Sequence, residues 1–401
     1  MTRILIDLTH TSHTRAHTGI QRVGRALHGA LRERPDEVVP VCHDPYESAW
    51  RALRRWEKEQ LVVRPSKSAG SRGSRWPITA KVSGRFRRWL ARRSQPGAVP
   101  APSGDWLIEP EIFSPAVGRA LPEFLARIPG PRVALFYDAI ALRIPELTPQ
   151  KTVARFPGYL QELLQFDGIA AISAESQAAL VDYWRWLGVA DPPPVLALPL
   201  AVDRPAPAPF GHTTAANAAP VVLCVGSLEG RKNHVALLEA CEMLWRRGLR
   251  FELQLIGLVQ QETGRAAFDR LRDLQAAGRP LRYDGPASES VLSRAYRTCA
   301  FTVYPSLMEG FGLPVLESLS YGKPCVSSAH GALGESASGG GCLALPSVDA
   351  PALAEALASL LSDPERLGDL TAAARTRTFK TWSTYAGELV DWIRTLPRRG
   401  S

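Results

Sequence analysis

The sequence has few cysteines and no long apolar run, and these absences exclude several classes of protein. Its six cysteines include no Cys-x-x-Cys pair, so buried free thiols are favoured over a disulfide framework or a zinc cluster. The apolar stretches near residues 133–142 and 195–202 are shorter than the roughly 18 residues that a spanning helix needs, and Asp7 interrupts the amino-terminal apolar run before it could form a signal-peptide core. These features predict a cytoplasmic protein that does not cross a bilayer.

A dinucleotide fingerprint is also missing, and the positive charge is confined to one segment. No Gly-x-Gly-x-x-Gly follows the first strand-like run, which argues against dinucleotide-dependent redox chemistry. The formal net charge is +9, yet residues 51–100 hold 14 basic and two acidic residues, so the rest of the chain is slightly acidic. This distribution indicates one basic insertion on a near-neutral body and not a nucleic-acid-binding face.

The second half of the basic insertion has the pattern of an amphipathic helix. Val82, Phe86 and Trp89 recur at helical spacing beside a stripe of Lys and Arg between Ile78 and Arg93. Such a helix suits the interface of an anionic membrane, with its aromatic side chains at headgroup depth. A solvated helix or loop, and a site for an acidic partner or nucleic acid, stay open as alternatives.

Strand-like apolar runs alternate with helical patterns along all 401 residues. A segment rich in Pro, Ala, Thr and Gly at 204–220 separates two such series and has the composition of a linker. We therefore predict an α/β fold of two doubly wound Rossmann-like domains that face each other across a cleft. They comprise residues 1–205, with the basic insertion at about 51–100, and residues 206–380; a carboxyl-terminal helix within 381–401 packs back on the first domain.

A loop after the first strand of the second domain carries two adjacent cations. Residues 226–234 read Gly-Ser-Leu-Glu-Gly-Arg-Lys-Asn-His and lead into a helix. The glycines let the backbone of this loop, including Gly226 and Ser227, approach a ligand as donor-binding residues. The helix amino terminus favours anions, and Arg231 with Lys232 can neutralise a diphosphate. Taken alone, the pair could also be a surface Arg-Lys beside a turn.

A second loop, about eighty residues later, combines glycines with two glutamates. Glu309 lies in the loop and Glu317 in the first turns of a helix that is predicted to begin at Pro314. Both carboxylates can face one pocket and accept hydrogen bonds from vicinal hydroxyls of a sugar or ribose. Gly310 and Gly312 offer amides to a phosphate or hydroxyl. A hydrolytic acid–base pair is the alternative, but the glycines and nearby cations favour a phosphorylated ligand.

Together these two loops resemble glycosyltransferase family four, whose members are retaining transferases of the GT-B fold. The close resemblance covers roughly residues 221–378, and the first half is similar only through 18–22 and 137–140. It implies that Arg231 and Lys232 hold a donor diphosphate, that Glu309 binds donor-sugar hydroxyls and that Glu317 binds ribose hydroxyls.

The resemblance also assigns supporting roles to backbone groups. Amides around Gly310, Phe311, Gly312 and Leu313 would support the donor sugar and phosphate. The loop at Gly19 would approach the diphosphate or the acceptor from the opposite domain, which makes the first domain the acceptor side.

The chain departs from the family pattern at Tyr137-Asp138, where many members have His-Asp. A tyrosine donates a hydrogen bond but does not relay a proton near neutral pH. Asp138 therefore stays a catalytic candidate while the general base is left open. His10, His13 and His17 could replace the histidine or could simply belong to a polar mobile loop. No Asp-x-Asp triplet occurs, so we expect metal-independent catalysis and no cofactor.

The resemblance implies transfer of a hexose from a nucleotide diphosphate sugar to an acceptor hydroxyl by front-face attack. The cationic loop and residues 143–146 look most like mannosyl- or rhamnosyltransferases of bacterial surface polysaccharides such as lipopolysaccharide. We therefore expect GDP-mannose first, with rhamnose or glucose as the next sugars, and a lipid-linked or surface-polysaccharide glycan as acceptor. Ile78–Arg93 would then touch the inner face of the cell membrane. A nucleotide-sugar epimerase of similar architecture and a non-catalytic GT-B-like binding subunit are the rival hypotheses.

Overall fold

The strands of the computed structural model form two sheets within the described residues, which are 1–14, 19–62, 76–93, 102–203 and 219–398. The first sheet contains β1 (Arg3–Asp7), β2 (Glu37–Asp44), β3 (Ala49–Ala52), β4 (Trp106–Glu109), β5 (Arg132–Phe136), β6 (Gly168–Ala171) and β7 (Val195–Ala197). The second sheet contains β8 (Val221–Val225), β9 (Glu252–Ile256), β10 (Leu281–Tyr283), β11 (Phe301–Tyr304), β12 (Cys325–Ser328) and β13 (Cys342–Leu345).

Helices cover both sheets. In the first half they are α1 (Gly19–Arg32), α2 (Arg55–Val62), α3 (Ile78–Arg93), α4 (Pro115–Ala126), α5 (Ile140–Arg143), α6 (Gln150–Glu162) and α7 (Ala174–Trp186). In the second half they are α8 (His234–Arg246), α9 (Arg265–Ala276), α10 (Glu289–Thr298), α11 (Leu313–Ser320), α12 (Gly331–Ala337), α13 (Ala350–Ser362), α14 (Pro364–Thr376) and α15 (Trp382–Thr395).

Strand order defines where each sheet can bind a ligand. The first sheet runs β3-β2-β1-β4-β5-β6-β7, with only β3 antiparallel to its neighbour, and the second runs β10-β9-β8-β11-β12-β13, all parallel. The order reverses between β1 and β4 and again between β8 and β11. In open α/β sheets ligands bind beyond the carboxyl ends of the strands at such a reversal. The predicted fold of two doubly wound domains is confirmed.

Local sequence explains the elements that flank the cleft. The central strands are buried on both faces and are nearly continuous apolar runs, as parallel strands covered by helices require. Ser173 caps α7 by accepting a hydrogen bond from the Ser176 amide at 3.0 Å. Asp349 caps α13 by accepting a hydrogen bond from the Ala352 amide at 2.8 Å. These caps fix where each helix begins relative to its strand.

The carboxyl-terminal helix α15 lies on the first domain. Tyr385, Leu389 and Ile393 are fully buried in an apolar cluster that includes side chains of α1. A Cβ at Gly168 would lie 2.8 Å from the Trp392 ring. The predicted linker falls largely on residues 204–218, outside the described residues, so the domain boundary stays a prediction.

The basic segment begins inside the fold. Its first residues belong to the edge strand β3, where Arg51 is buried and paired with Asp44 and Glu57. Arg51 can be buried because these two acids compensate its charge. Helix α3 spans the predicted residues, Ile78–Arg93.

In the described part of the chain no helix is both long and apolar enough to cross a membrane. The six cysteines are free, and Cys342 is the one that is only half-buried.

Candidate active site

The carboxyl ends of β8 and β11 hold the two predicted loops next to each other. After β8, the chain turns at Gly226, whose amide donates to the Ile256 carbonyl at 2.9 Å. Asn233 adopts a left-handed conformation (φ 56°) and its side-chain amide donates to the Val348 carbonyl at 2.8 Å. This turn sets Arg231 and Lys232 immediately before α8, with their side chains directed to the β11 loop.

Arg231 and Lys232 converge on Glu309. The Arg231 Nη1 lies 2.8 Å from Glu309 Oε2, and the Lys232 Nζ lies 2.5 Å from Oε1. The Tyr304 hydroxyl donates to the same Oε1 at 3.0 Å, and Lys232 also contacts Tyr304. All three charged side chains are at most one-fifth exposed. A second carboxylate, Glu229, lies 2.9 Å from Arg231 Nη2, so two acidic side chains pair with two basic ones in a largely buried site.

Burial and pairing act on these groups in opposite directions. Burial alone would raise the pKa of Glu309, but Lys232 and Arg231 lower it to about 2. Burial lowers the pKa of Lys232 despite Glu309. Burial also works to lower the pKa of Arg231, and Glu309 with Glu229 overcomes it and raises that pKa. Glu309 is therefore ionised at neutral pH and lies between the basic side chains of Arg231 and Lys232.

Gly310 lies at a close contact between the two domains. The Ser173 hydroxyl, at the end of β6, donates to the Gly310 carbonyl at 2.7 Å, and the Ser176 hydroxyl donates to the Tyr137 carbonyl at 2.8 Å. A Cβ at Gly310 would lie 2.3 Å from the Tyr137 carbonyl oxygen. Only glycine fits this approach, so the loop sits directly over the predicted Tyr137-Asp138 segment.

The rest of the glycine loop leads into α11. Phe311 is buried, and its carbonyl accepts a hydrogen bond from the Ser336 hydroxyl at 2.5 Å. Gly312 has a φ of 97°, a conformation that favours glycine. Leu313 begins α11, and a Cβ at Gly19 would lie 3.8 Å from its side chain. Gly19 therefore faces the β11 loop across the cleft.

Glu317 joins the domains through a charge pair. Its Oε1 pairs with Arg22 of α1, and its Oε2 accepts a hydrogen bond from the Tyr296 hydroxyl at 3.1 Å. The charge of Glu317 raises the pKa of Arg22. Glu317 thus belongs to the same cleft as Glu309 but has its own partners.

Tyr137 and Asp138 differ in what they can offer. The Tyr137 hydroxyl is buried and donates to the Pro110 carbonyl at 2.6 Å, so it is already engaged. Asp138 is partly buried and accepts a hydrogen bond from the Ile140 amide at 3.0 Å. Burial raises the pKa of Asp138, while the Arg231 charge opposes that rise. Asp138 therefore lies within the electrostatic reach of the cationic loop.

Of the first-loop histidines, His13 lies in a buried hydrogen-bond network and not on a polar surface loop. His13 is buried, and its Nε2 lies 2.9 Å from Glu57 Oε1 while Nδ1 lies 2.7 Å from the Thr9 carbonyl. The His10 amide donates to a Glu111 carboxylate oxygen at 2.7 Å. Glu57 and Glu111 hold these two residues in place, and the sequence spacing did not reveal either contact. His17 lies outside the described residues.

One group of side chains in the described ranges is close enough to hold a metal ion: His13, Cys42 and Glu57, whose ligand atoms lie within 4.8 Å of one another. Glu57 already accepts two hydrogen bonds of 2.6 Å from Arg51. Burial raises the pKa of the Cys42 thiol well above its usual value. The guanidinium and the neutral thiol disfavour a cation there, and the cluster fits a structural role.

The structure brings most predicted site residues to one edge of the second sheet and adds partners that sequence reasoning missed. Tyr304, Glu229 and Tyr296 complete the charge network around the two predicted glutamates, and Arg22 and Ser173 come from the other domain. Arg22 does lie in the weakly matching 18–22 segment. The other partners carried no signal beyond their position at strand or helix ends.

Residues 211–377 match the family model described as "Glycosyl transferases group 1". This part of the chain is therefore similar to glycosyltransferase domains. It is 25% identical over 346 residues to the serotype-specific mannosyltransferase WbdA of Escherichia coli, covering 81% of this chain and 38% of that protein. It is 37% identical over 149 residues to O-antigen chain mannosyltransferase B of E. coli, covering 36% and 38%. The chain thus spans well under half the length of these curated relatives.

Solved glycosyltransferase structures share the fold of this chain. Sucrose-phosphate synthase from Thermosynechococcus elongatus superposes with a TM-score of 0.66 at 17% identity, over 98% of both chains. Anabaena HepE in complex with UDP and glucose superposes with a TM-score of 0.65 at 15% identity, over 99% and 100%. The resemblance to a GT-B, mannosyltransferase-like glycosyltransferase is confirmed.

Proposed function

We propose that this glycosyltransferase transfers a hexose from a nucleotide diphosphate sugar to an acceptor hydroxyl with retention of anomeric configuration. The observation that carries the proposal is the convergence of Arg231 and Lys232 on Glu309 at the β8–β11 reversal. The two cations would hold the diphosphate of the donor, and Glu309 would accept hydrogen bonds from its sugar hydroxyls. Glu317 and the amides of the glycine loop would hold the ribose and the phosphate.

Front-face attack explains how this site could work without a protein nucleophile. The bond between the anomeric carbon and the phosphate oxygen breaks, and the bond to the acceptor oxygen forms on the same face. The acceptor proton passes to the departing phosphate oxygen, so the step balances without a side-chain base. Arg231 and Lys232 stabilise the negative charge that grows on the diphosphate. The engaged hydroxyl of Tyr137 is consistent with a scheme that needs no proton relay at that position.

The donor, the acceptor and the location complete this proposal. GDP-mannose is the donor of first choice, because the similar E. coli proteins are named as mannosyltransferases. We propose a lipid-linked or surface-polysaccharide glycan as acceptor, and a cytoplasmic enzyme peripheral to the inner face of the membrane. Catalysis would require no metal, because Arg231 and Lys232 already supply positive charge beside the diphosphate position.

Nucleotide release from a panel of GDP-, UDP- and dTDP-sugars tests the proposal. The assay is run in EDTA, with and without a membrane lipid extract, on the wild type and on Lys232→Ala. GDP release from GDP-mannose that rises with the extract and falls in the variant supports it. Conversion of the donor to an isomer would indicate an epimerase. Nucleotide binding without any release would favour a non-catalytic binding subunit.

A further inference from the structure

Exposed large apolar side chains are concentrated on helix α3. Four of them follow one another at intervals of four, four and three positions, which puts them on one face of the helix. Their exposed fractions are 78% for Ile78, 62% for Val82, 58% for Phe86 and 46% for Trp89. The rings of Phe86 and Trp89 stack at 5.9 Å. These four side chains are called the α3 stripe below.

The charge of α3 is of one sign. The helix contains no acidic residue. Lys81 and Arg85 lie about 6 Å from the ring of Tyr46, beside the stripe. Arg88 is exposed, and no ion pair is found for it among the described residues. Cations therefore border the apolar face, and an anionic surface is the complementary partner.

The opposite side of α3 is fixed to the first domain. Gly84 is buried, and a Cβ there would lie 2.7 Å from Tyr46 Cβ. The Arg87 Nη1 lies 3.0 Å from Glu47 Oε1, and Ala80 is 5% exposed. Helix α3 therefore packs against the first domain on one side, and the exposed α3 stripe lies on its opposite side.

A second contact ties this region to the cleft. Trp76, just before α3, stacks on His13 with ring centroids 3.7 Å apart. His13 belongs to the loop between β1 and α1, which is held by Glu57 of α2. The α3 stripe therefore has a fixed position relative to His13 and the residues that follow β1.

We propose that the α3 stripe is a docking surface for an anionic lipid bilayer. The apolar side chains enter the interface, and the bordering Lys and Arg contact the headgroups. Because α3 is joined to the β1–α1 loop through Trp76 and His13, the bilayer lies beside the first-domain side of the cleft. This inference extends the membrane contact of the proposed function, where a lipid-linked acceptor would approach from that side, but the docking itself needs no donor or acceptor.

Vesicle flotation with the full chain tests the docking surface. Vesicles of phosphatidylcholine with phosphatidylglycerol are compared with phosphatidylcholine alone, for the wild type, Phe86→Ser and Arg85→Gln/Arg88→Gln. We expect the wild type to bind the anionic vesicles. Phe86→Ser should bind them up to about tenfold more weakly, and the double variant about 30-fold more weakly. Trp186→Ser, which removes an 80% exposed aromatic of α7, and Arg272→Gln should bind as the wild type does.

The result that overturns the proposal is absence of binding to anionic vesicles, or equal loss of binding in the Trp186→Ser and Arg272→Gln controls. GDP binding, followed without lipid, separates the two ideas. Phe86→Ser should bind vesicles more weakly and bind GDP as the wild type does. If the wild type binds vesicles but shows no nucleotide binding, the proposed function fails while the docking surface stands.

Discussion

Glu309→Gln is the perturbation that reports most directly on the charge cluster. The substitution keeps the shape and one hydrogen-bond acceptor but leaves Arg231 and Lys232 without their shared carboxylate. The pKa of Glu309 falls from 4.5 to about 2 in the folded chain. At about 1.4 kcal/mol per pKa unit, the ionised carboxylate contributes about 3 kcal/mol to the free energy of unfolding. Loss of one member of a buried pair costs about 3–5 kcal/mol in general.

The pH dependence has a definite sign. Because the folded pKa of Glu309 lies below its unfolded value, its contribution is complete above pH 4.5 and is lost as the pH falls toward 2. The wild type should therefore exceed Glu309→Gln in stability by about 3 kcal/mol at pH 7 and by about 2 kcal/mol at pH 3.5.

Urea unfolding followed by tryptophan fluorescence at the two pH values measures both differences. Glu355→Gln, which removes an exposed carboxylate from α13, should change stability by less than about 0.5 kcal/mol at either pH. A difference below about 1 kcal/mol for Glu309→Gln at pH 7, or one that does not shrink with acid, would refute the reasoning.

Three further substitutions test the cleft. Lys232→Ala should lower sugar transfer roughly 10²–10⁴-fold in a nucleotide-release assay, whereas Lys151→Ala, an exposed lysine of α6, should leave it unchanged. Gly310→Ala should lower transfer about 10²-fold with nucleotide binding retained, because its Cβ would press on the Tyr137 carbonyl and hold the domains apart; wild-type transfer would disprove this contact. Tyr137→Phe should cost about 1–3 kcal/mol in thermal unfolding, since the buried Pro110 carbonyl loses its donor, while an altered pH profile of transfer would show that the hydroxyl moves a proton.

Periodic features of the sequence predict the fold well. Short apolar runs such as that around β1 favour parallel strands covered on both faces, and their alternation with helical patterns predicts the doubly wound class. The edge strand β3 escaped prediction because its buried Arg51 looks like a surface residue until Asp44 and Glu57 are placed around it. Compensation of a charge by residues distant in sequence leaves no periodic signal.

In the candidate site, too, the residues could be predicted from local sequence but their contacts could not. Arg231, Lys232 and Glu309 were predicted because they lie in two glycine-rich loops after strands. Their convergence depends on β8 and β11 being neighbours, which is a property of the sheet order. The pairing of Glu317 with Arg22 depends on how the domains face each other. No local pattern encodes that arrangement, so the partners of the predicted residues could be found only in three dimensions.

The central claim is retaining transfer of a hexose at the Arg231–Lys232–Glu309 cluster. The most direct measurement is the anomeric configuration, by NMR, of the product formed from GDP-mannose and a membrane lipid extract. The account predicts a mannosylated product with the anomeric configuration of the donor, and no product from Glu309→Ala. A product of inverted configuration, or full transfer by Glu309→Ala, would contradict it.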